Sequence, residues 1–241
     1  MLAFIKRWWA ASPRPGLQGI EQWVRERQAQ WRRVHDDGGF VIDGAHGSVP
    51  WRIEWGQSHR PYIAGTELRF IAELGLHRDL QVMVLNRALM LTSEARVYDE
   101  YVQGVQTRVD TQTPTEIRWL VMHTKLTAGE LGRLGLRFGG VASVKPWLLA
   151  WLAGPLSDAL LDAARELRES DVFVLSIVRG RLGMRLGMPD PRPERIERWL
   201  GLFEVAIDEA RRVAGEWRDS ALPAASTRPS VWPRDAAGDV G

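Results

Sequence analysis

The clearest pattern of apolar and polar positions lies between residues 172 and 217. Val172-Phe173-Val174-Leu175-Ser176-Ile177-Val178 is apolar and β-branched. Arg179-Gly180 offers a turn, and Arg181-Leu182-Gly183-Met184-Arg185-Leu186 alternates polar with apolar residues. This predicts a hairpin with one buried face. Pro189, Pro191 and Pro193 then interrupt the chain. A helix is expected from Pro193, because proline at the first helical position gives up a donor that would have no partner there. Ile196, Trp199, Leu200, Phe203, Ile207, Ala210, Val213 and Trp217 follow at steps of three and four, which places them on one stripe.

Upstream, Leu17, Ile20, Val24, Trp31 and Val34 share one side of a helix expected over residues 17 to 35, stopped by Asp36-Asp37-Gly38-Gly39. Residues 40 to 85 read as an antiparallel meander of about four strands. Phe40-Val41-Ile42 is the first. Trp51, Ile53 and Trp55 alternate with Arg52 and Glu54, and Leu68 and Phe70 alternate with Glu67 and Arg69; Leu80 to Leu85 is the last. Residues 44 to 48 and 56 to 61 are the loops between them. Leu89, Met90, Val97, Tyr101 and Val102 suggest a helix over 87 to 103, and Val105 to Val109 a short strand. Thr113-Pro114-Thr115-Glu116 has capping-box spacing, which predicts a helix from Pro114 to Met122. Gly129, Gly132, Gly135, Gly139 and Gly140 make residues 124 to 144 a loop, with a strand expected at Leu134 to Phe138. The apolar run Pro146 to Leu152 is cut by Gly154-Pro155, and a helix follows to Leu167.

These elements define an α+β protein: an antiparallel meander and a hairpin packed against several helices, with the long C-terminal helix along the sheet. Residues 1–16 form an N-terminal arm, 17–218 the globular region, readable also as two halves, 17–110 and 111–218. Residues 219–241 have the alanine, serine, glycine and proline content of a disordered tail. The order from a short strand through the Thr113-Pro114 helix start and a further helix to the hairpin and long terminal helix is similar to that of uncharacterised bacterial domains of unknown function. The resemblance covers roughly residues 97 to 217. It implies a bacterial protein, carries no catalytic residue with it, and concerns domains that are often membrane-anchored.

Composition adds three constraints. The chain has no cysteine, which excludes disulfides, thiolate metal sites and thiol nucleophiles. No run of 18 apolar residues is present, so no transmembrane helix is expected and a cytoplasmic location is, with peripheral membrane contact as the variant. The net charge of +2 implies no nucleic-acid partner. Residues 1 to 35 carry seven basic and two acidic side chains, so the basic excess belongs to the arm. There Lys6 and Arg7 stand beside Trp8 and Trp9, rings and cations that suit an interaction surface: a second copy, another protein, or a membrane interface.

Candidate chemistry is sparse. No histidine pair has helical ligand spacing and no HExxH occurs, so neither a metal nor a cofactor is expected. His46 and His59 lie in loops at opposite ends of the Trp51–Trp55 strand, which argues against their meeting. Ser48 and Ser58 lack a GxSxG setting. Asp99-Glu100 and Asp36-Asp37 read more simply as solvated positions. Arg179-Gly180-Arg181 is a basic hairpin tip of a kind that can touch phosphate, although most such tips are solvated turns. The expectation is a non-enzymatic binding or assembly protein, oligomeric through its basic arm. The alternative is a small-molecule enzyme with polar residues from loops 44–48 and 56–61, notably His46, His59 and Arg60.

Overall fold

The computed structural model describes residues 15–34, 38–102, 114–168 and 170–218. Lys6, Arg7, Trp8 and Trp9 of the arm, the strand expected at 105 to 109, and the tail 219–241 lie outside them.

The architecture is α+β. Among the described residues nine strands form one antiparallel sheet: β1 (Gln30–Val34), β2 (Gly39–His46), β3 (Val49–Gln57), β4 (Thr66–Glu73), β5 (Val82–Asn86), β6 (Thr124–Lys125), β7 (Phe138–Ala142), β8 (Phe173–Val178) and β9 (Arg181–Gly187). Their order across the sheet is β1-β2-β3-β4-β9-β8-β5-β7-β6. Seven helices accompany them among the described residues: α1 (Pro15–Glu26), α2 (Arg87–Val102), α3 (Thr115–Met122), α4 (Ala128–Leu131), α5 (Lys145–Leu152), α6 (Pro155–Ala164) and α7 (Pro193–Arg218). None of the helices among the described residues is long and apolar enough to cross a membrane.

The expected hairpin is β8–β9. Its turn residues both take positive φ, 53° at Arg179 and 80° at Gly180, as a two-residue turn with the twist of the flanking strands requires. The stripe of α7 is also as expected: Ile196, Leu200, Phe203, Ile207, Ala210 and Val213 are buried. They face Leu68, Phe70, Leu182 and Met184, the inward positions of β4 and β9. The rings of Phe70 and Phe203 sit 5.3 Å apart at that contact. Helices α1, α5, α6 and α7 bury this face, while α2 and α3 cover the opposite face only over β5, β7 and β8.

Three expectations are corrected. The first helix ends at Glu26, not near 35. Gln28 adopts φ 57° and the chain turns into β1, where Trp31 packs its ring 4.7 Å from Phe40. Trp31 fits a helical step from Ile20 equally well; pairing with β2 and burial against Phe40 decide for a strand. Second, β5 does not continue the meander β2–β3–β4. The free edge of β4 is taken by β9, and β5 joins the far side of the hairpin beside β8. Third, the glycine-rich stretch holds its strand at β7, later than Leu134 to Phe138. Gly139 and Gly140 lie inside that strand because a β-carbon there would run into Met90 and Leu126. Helix α4 before it has the reciprocal Thr127–Glu130 capping box.

Hairpin β8–β9, from residues 111–218, stands between β4 and β5, both from residues 17–110, and α7 packs on β4. Residues 17–110 and 111–218 therefore contribute to one sheet and one core.

Candidate functional site: an arginine-lined cleft on the open sheet face

Strand alternation sorts β4 and β9 into two sets. Leu68, Phe70, Ala72, Leu182, Met184 and Leu186 turn to the helix layer and are buried. Glu67, Arg69, Ile71, Glu73, Arg181, Gly183 and Arg185 turn the other way, onto the part of the sheet that α2 and α3 leave open. A cleft of about 850 Å³ lies there, within the range of small-molecule sites. Its walls come from Trp119 on α3, Arg60 in the loop after β3, Arg78, Asp79 and Gln81 between β4 and β5, and Arg179 at the hairpin tip.

The strand register lays the floor out in rows. Glu54, Arg69, Arg185 and Val174 stand opposite one another on β3, β4, β9 and β8. Two residues further on come Arg52, Ile71, Gly183 and Ser176, and two further again Glu73, Arg181 and Val178. Arg69 and Arg185 are held from beneath by Glu67. That carboxylate is only 1% exposed, accepts from Arg185 Nη1 at 2.8 Å and lies 3.6 Å from Arg69 Nε. Glu54 meets Arg69 Nη2 at 2.6 Å. Ser58 Oγ donates to Glu67 at 3.3 Å and accepts from the Arg60 backbone amide at 3.0 Å, which ties the Arg60 loop to the same carboxylate. At the other end Arg181 pairs with Glu73. Arg179 occupies a left-handed position where asparagine is the usual residue, at a cost of about 1–2 kcal/mol for an L side chain. Arg78 and Arg179 have no ion-pair partner among the described residues.

Behind the wall, His123 Nε2 lies 2.6 Å from Gln81 Oε1, and its ring is 6.0 Å from Trp119. Burial pushes the His123 pKa down, which keeps it uncharged at neutral pH. His123 then fixes the side chain of Gln81, a lining residue. Ser176 is the hydroxyl on the floor, and among the described residues no histidine or carboxylate contacts it as a base. No group of three potential metal ligands occurs among the described residues.

The residues singled out from sequence are dispersed. Arg60 lines the cleft. His59 is exposed in the adjoining loop. His46 closes β2 at the other end of the nine-residue β3, roughly 30 Å along the strand from His59. His46 instead joins a polar cluster on α7: its Nε2 lies 2.9 Å from Asp208 and its Nδ1 3.8 Å from Glu204. Ser48 sits in the β2–β3 turn, and Ser58 serves Glu67. Asp36 and Asp37 lie outside the described residues, as do the side chains of Asp99 and Glu100. Sequence reading missed Glu67, Arg69, Arg78 and Arg185 as site residues. The signal was present as polar positions alternating along β4 and β9; what was absent was the knowledge that these two strands pair.

A smaller cavity of about 230 Å³ lies between Arg87, Leu136, Arg137 and Arg168. There Arg87 donates to the Gly135 carbonyl at 2.7 Å and Arg137 to the Ala164 carbonyl at 3.0 Å, so both hold chain ends together. Comparison with known protein families, with curated proteins and with solved structures found no match to this chain.

Proposed function

We propose that this is a non-enzymatic binding protein and that the cleft receives a small anionic ligand. One observation carries the reading: six arginines converge on one cleft, two of them anchored by a single buried carboxylate. Glu67 fixes the Arg185 guanidinium through Nη1, and Glu67 and Glu54 together flank that of Arg69; the planar guanidinium groups suit carboxylate and phosphate oxygens. Among the described residues Glu54, Glu67, Glu73 and Asp79 stand among these arginines and offset part of their charge, which suits a small anion better than a long polyanion. A single-stranded nucleic acid would also need aromatic faces to stack on. The tryptophans and phenylalanines of β2, β3 and β4 all turn to the helix layer, and Trp119 on the cleft wall is only 4% exposed, too little for a base to stack on.

Titration calorimetry with inorganic pyrophosphate tests the reading. Binding weakened by salt is expected, with Arg185→Gln costing about 1.5–3 kcal/mol of affinity, the usual worth of a charge-assisted hydrogen bond. The absence of both a binding heat and a thermal stabilisation with pyrophosphate would overturn it. The basic arm with Trp8 and Trp9 remains our proposed assembly contact. Sedimentation of a chain beginning at Gly16 checks it: a loss of oligomer supports that role, and an unchanged sedimentation coefficient refutes it.

A further inference from the structure

The arginines in and around the cleft are of two kinds. Those that rise from the sheet are already paired. Arg69 meets Glu54 at 2.6 Å, Arg185 meets Glu67 at 2.8 Å, Arg181 meets Glu73, and Arg52 at the margin of the floor meets Asp43 at 2.6 Å. Arg60, in the loop after β3, is engaged as well. Arg78 and Arg179 differ: they come from the connections between strands, and neither has an ion-pair partner among the described residues. Those two connections touch. The backbone amide of Leu74 donates to the Gly180 carbonyl at 3.0 Å, and a β-carbon on Gly180 would stand 2.9 Å from the Leu76 carbonyl oxygen. Arg78 lies just after that contact and Arg179 just before it, so both cations belong to one end of the cleft. Glu73 and Asp79 stand there too, Glu73 held by Arg181 and Asp79 exposed beside His77.

Arg179 carries a second sign. It takes φ 53°, a left-handed conformation that glycine or asparagine adopts with less strain. An arginine there weakens the hairpin, and strain of this kind collects where a side chain serves a site. The rest of the cleft has another character. Ser176 offers a hydroxyl and Gln81 an amide. Gly183 leaves the floor open, since a β-carbon built there would come no closer than 3.8 Å to Ser176 Oγ and 3.9 Å to the Phe70 carbonyl. Beyond it, roughly 13 Å along β9 from Arg181, Arg185 and Arg69 lie among Glu67 and Glu54, so guanidinium donors and carboxylate acceptors stand side by side. A second anion placed there would meet those carboxylates. A hydroxyl suits both neighbours, because it accepts from one and donates to the other.

From this distribution we infer that the ligand is a phosphorylated polyol, a sugar phosphate or its open-chain alcohol. Its phosphate lies between Arg78 and Arg179, and its hydroxylated body runs along β9 over Gly183 toward Arg185. The inference rests on the anion-binding reading of the cleft and adds where the charge sits and what the rest of the molecule is made of. At the phosphate, two guanidinium groups supply charge-assisted hydrogen bonds. Along the floor, hydroxyls replace water on Ser176, Gln81 and the paired side chains. An apolar body would strip those polar groups of water without replacing its hydrogen bonds, and a bare inorganic anion would leave them solvated.

The test is calorimetry on the full chain with the terminal-carbon phosphates of glycerol, ribose, glucose and sorbitol, beside inorganic phosphate, hexyl phosphate and pyrophosphate. Hexyl phosphate carries the same charged group on an apolar body. At least one polyol phosphate should bind about tenfold tighter than both inorganic phosphate and hexyl phosphate. Ser176→Ala should narrow that preference. The paired variant Arg78→Gln, Arg179→Asn should weaken every phosphate by about tenfold or more. Its melting temperature should not fall, because asparagine suits the turn and neither arginine holds an ion pair among the described residues. Polyol phosphates no tighter than hexyl phosphate, or a preference untouched by Ser176→Ala, overturn the hydroxylated body. Unchanged affinity in the paired variant overturns the phosphate position. In each case pyrophosphate binding by the native chain keeps the anion reading intact. If pyrophosphate and all the other phosphates fail to bind, both readings fall.

Discussion

Trp51 and Trp55 stand two residues apart on β3, each 4% exposed, yet their indole nitrogens are treated differently. Trp55 Nε1 donates to the Met188 carbonyl at 2.7 Å. Trp51 Nε1 is buried without a partner. A phenylalanine at either position loses similar packing, but only at 55 is a hydrogen bond lost as well. At 51 an unsatisfied donor disappears, which by itself favours the folded state. Met188 O keeps a second donor in Thr66 Oγ1, which limits the loss at 55. Trp55→Phe should therefore destabilise more than Trp51→Phe by about 1 kcal/mol in urea unfolding; equal costs would contradict the assignment. The ring of Trp51 also explains Gly44, which faces it across β2 and β3. A β-carbon at 44 would enter the indole, and that indole is enclosed by core and cannot swing away. Gly44→Ala should cost about 1–3 kcal/mol from overpacking, measured by the same unfolding experiment.

At the scale of elements, α7 carries two faces with different physics. Its inner stripe was legible from spacing alone, because one long helix with an apolar residue at every third or fourth place has few other readings. Its solvent-side cluster was not, because Glu204, Asp208 and Glu197 look like ordinary surface charges until α1 and the end of β2 bring Arg27, Trp23 and His46 against them. Trp23 Nε1 donates to Glu197 at 2.6 Å, and Arg27 Nε does so at 2.8 Å. Those donors hold the Glu197 carboxyl below its ordinary range, against a burial effect that raises it. Glu204 shows the reverse: burial pushes its pKa up, Glu197 and Asp208 add to the rise, and His46 and Arg27 offset only part. A carboxyl whose folded pKa exceeds its unfolded one holds its proton more tightly when folded. Its ionisation therefore lowers stability as pH rises through and above the ordinary glutamate range. Glu204→Gln should raise the melting temperature at about pH 7 and leave it nearly unchanged at about pH 4, where the native residue is protonated. A lower melting temperature at neutral pH would mean that its contacts with His46 and Arg27 outweigh the burial. The cleft divides the same way. The alternation in β4 and β9 was readable, and the loop holding Arg60 was identified. Bringing Arg69 beside Arg185 required a pairing between strands more than a hundred residues apart, for which no local signal exists.

Across the whole molecule, the position of hairpin β8–β9 sets the cooperativity. It inserts between β4 and β5, so the described strands before residue 110 do not form a continuous sheet without it. Helix α7 then crosses both segments, with Phe203 against Phe70 of β4 and Trp199 stacked 5.6 Å from Phe173 of β8. A chain built from two independent halves would unfold in two steps. This one should unfold in a single step, because removing either segment exposes the core of the other. Far-ultraviolet circular dichroism and tryptophan fluorescence should give coincident urea transitions. Phe203→Ala should move both together by about 3–5 kcal/mol, the range for a buried aromatic. Two separated transitions, or a Phe203→Ala effect confined to one of them, would show that residues 17–110 and 111–218 fold on their own. The arginine ends of the cleft draw on both segments, Arg69 and Arg78 from one, Arg181 and Arg185 from the other. If the halves were independent, the site would depend on their docking. Since they share one sheet, we expect anion binding and the global transition to be lost at the same urea concentration, which following pyrophosphate binding through the transition would reveal.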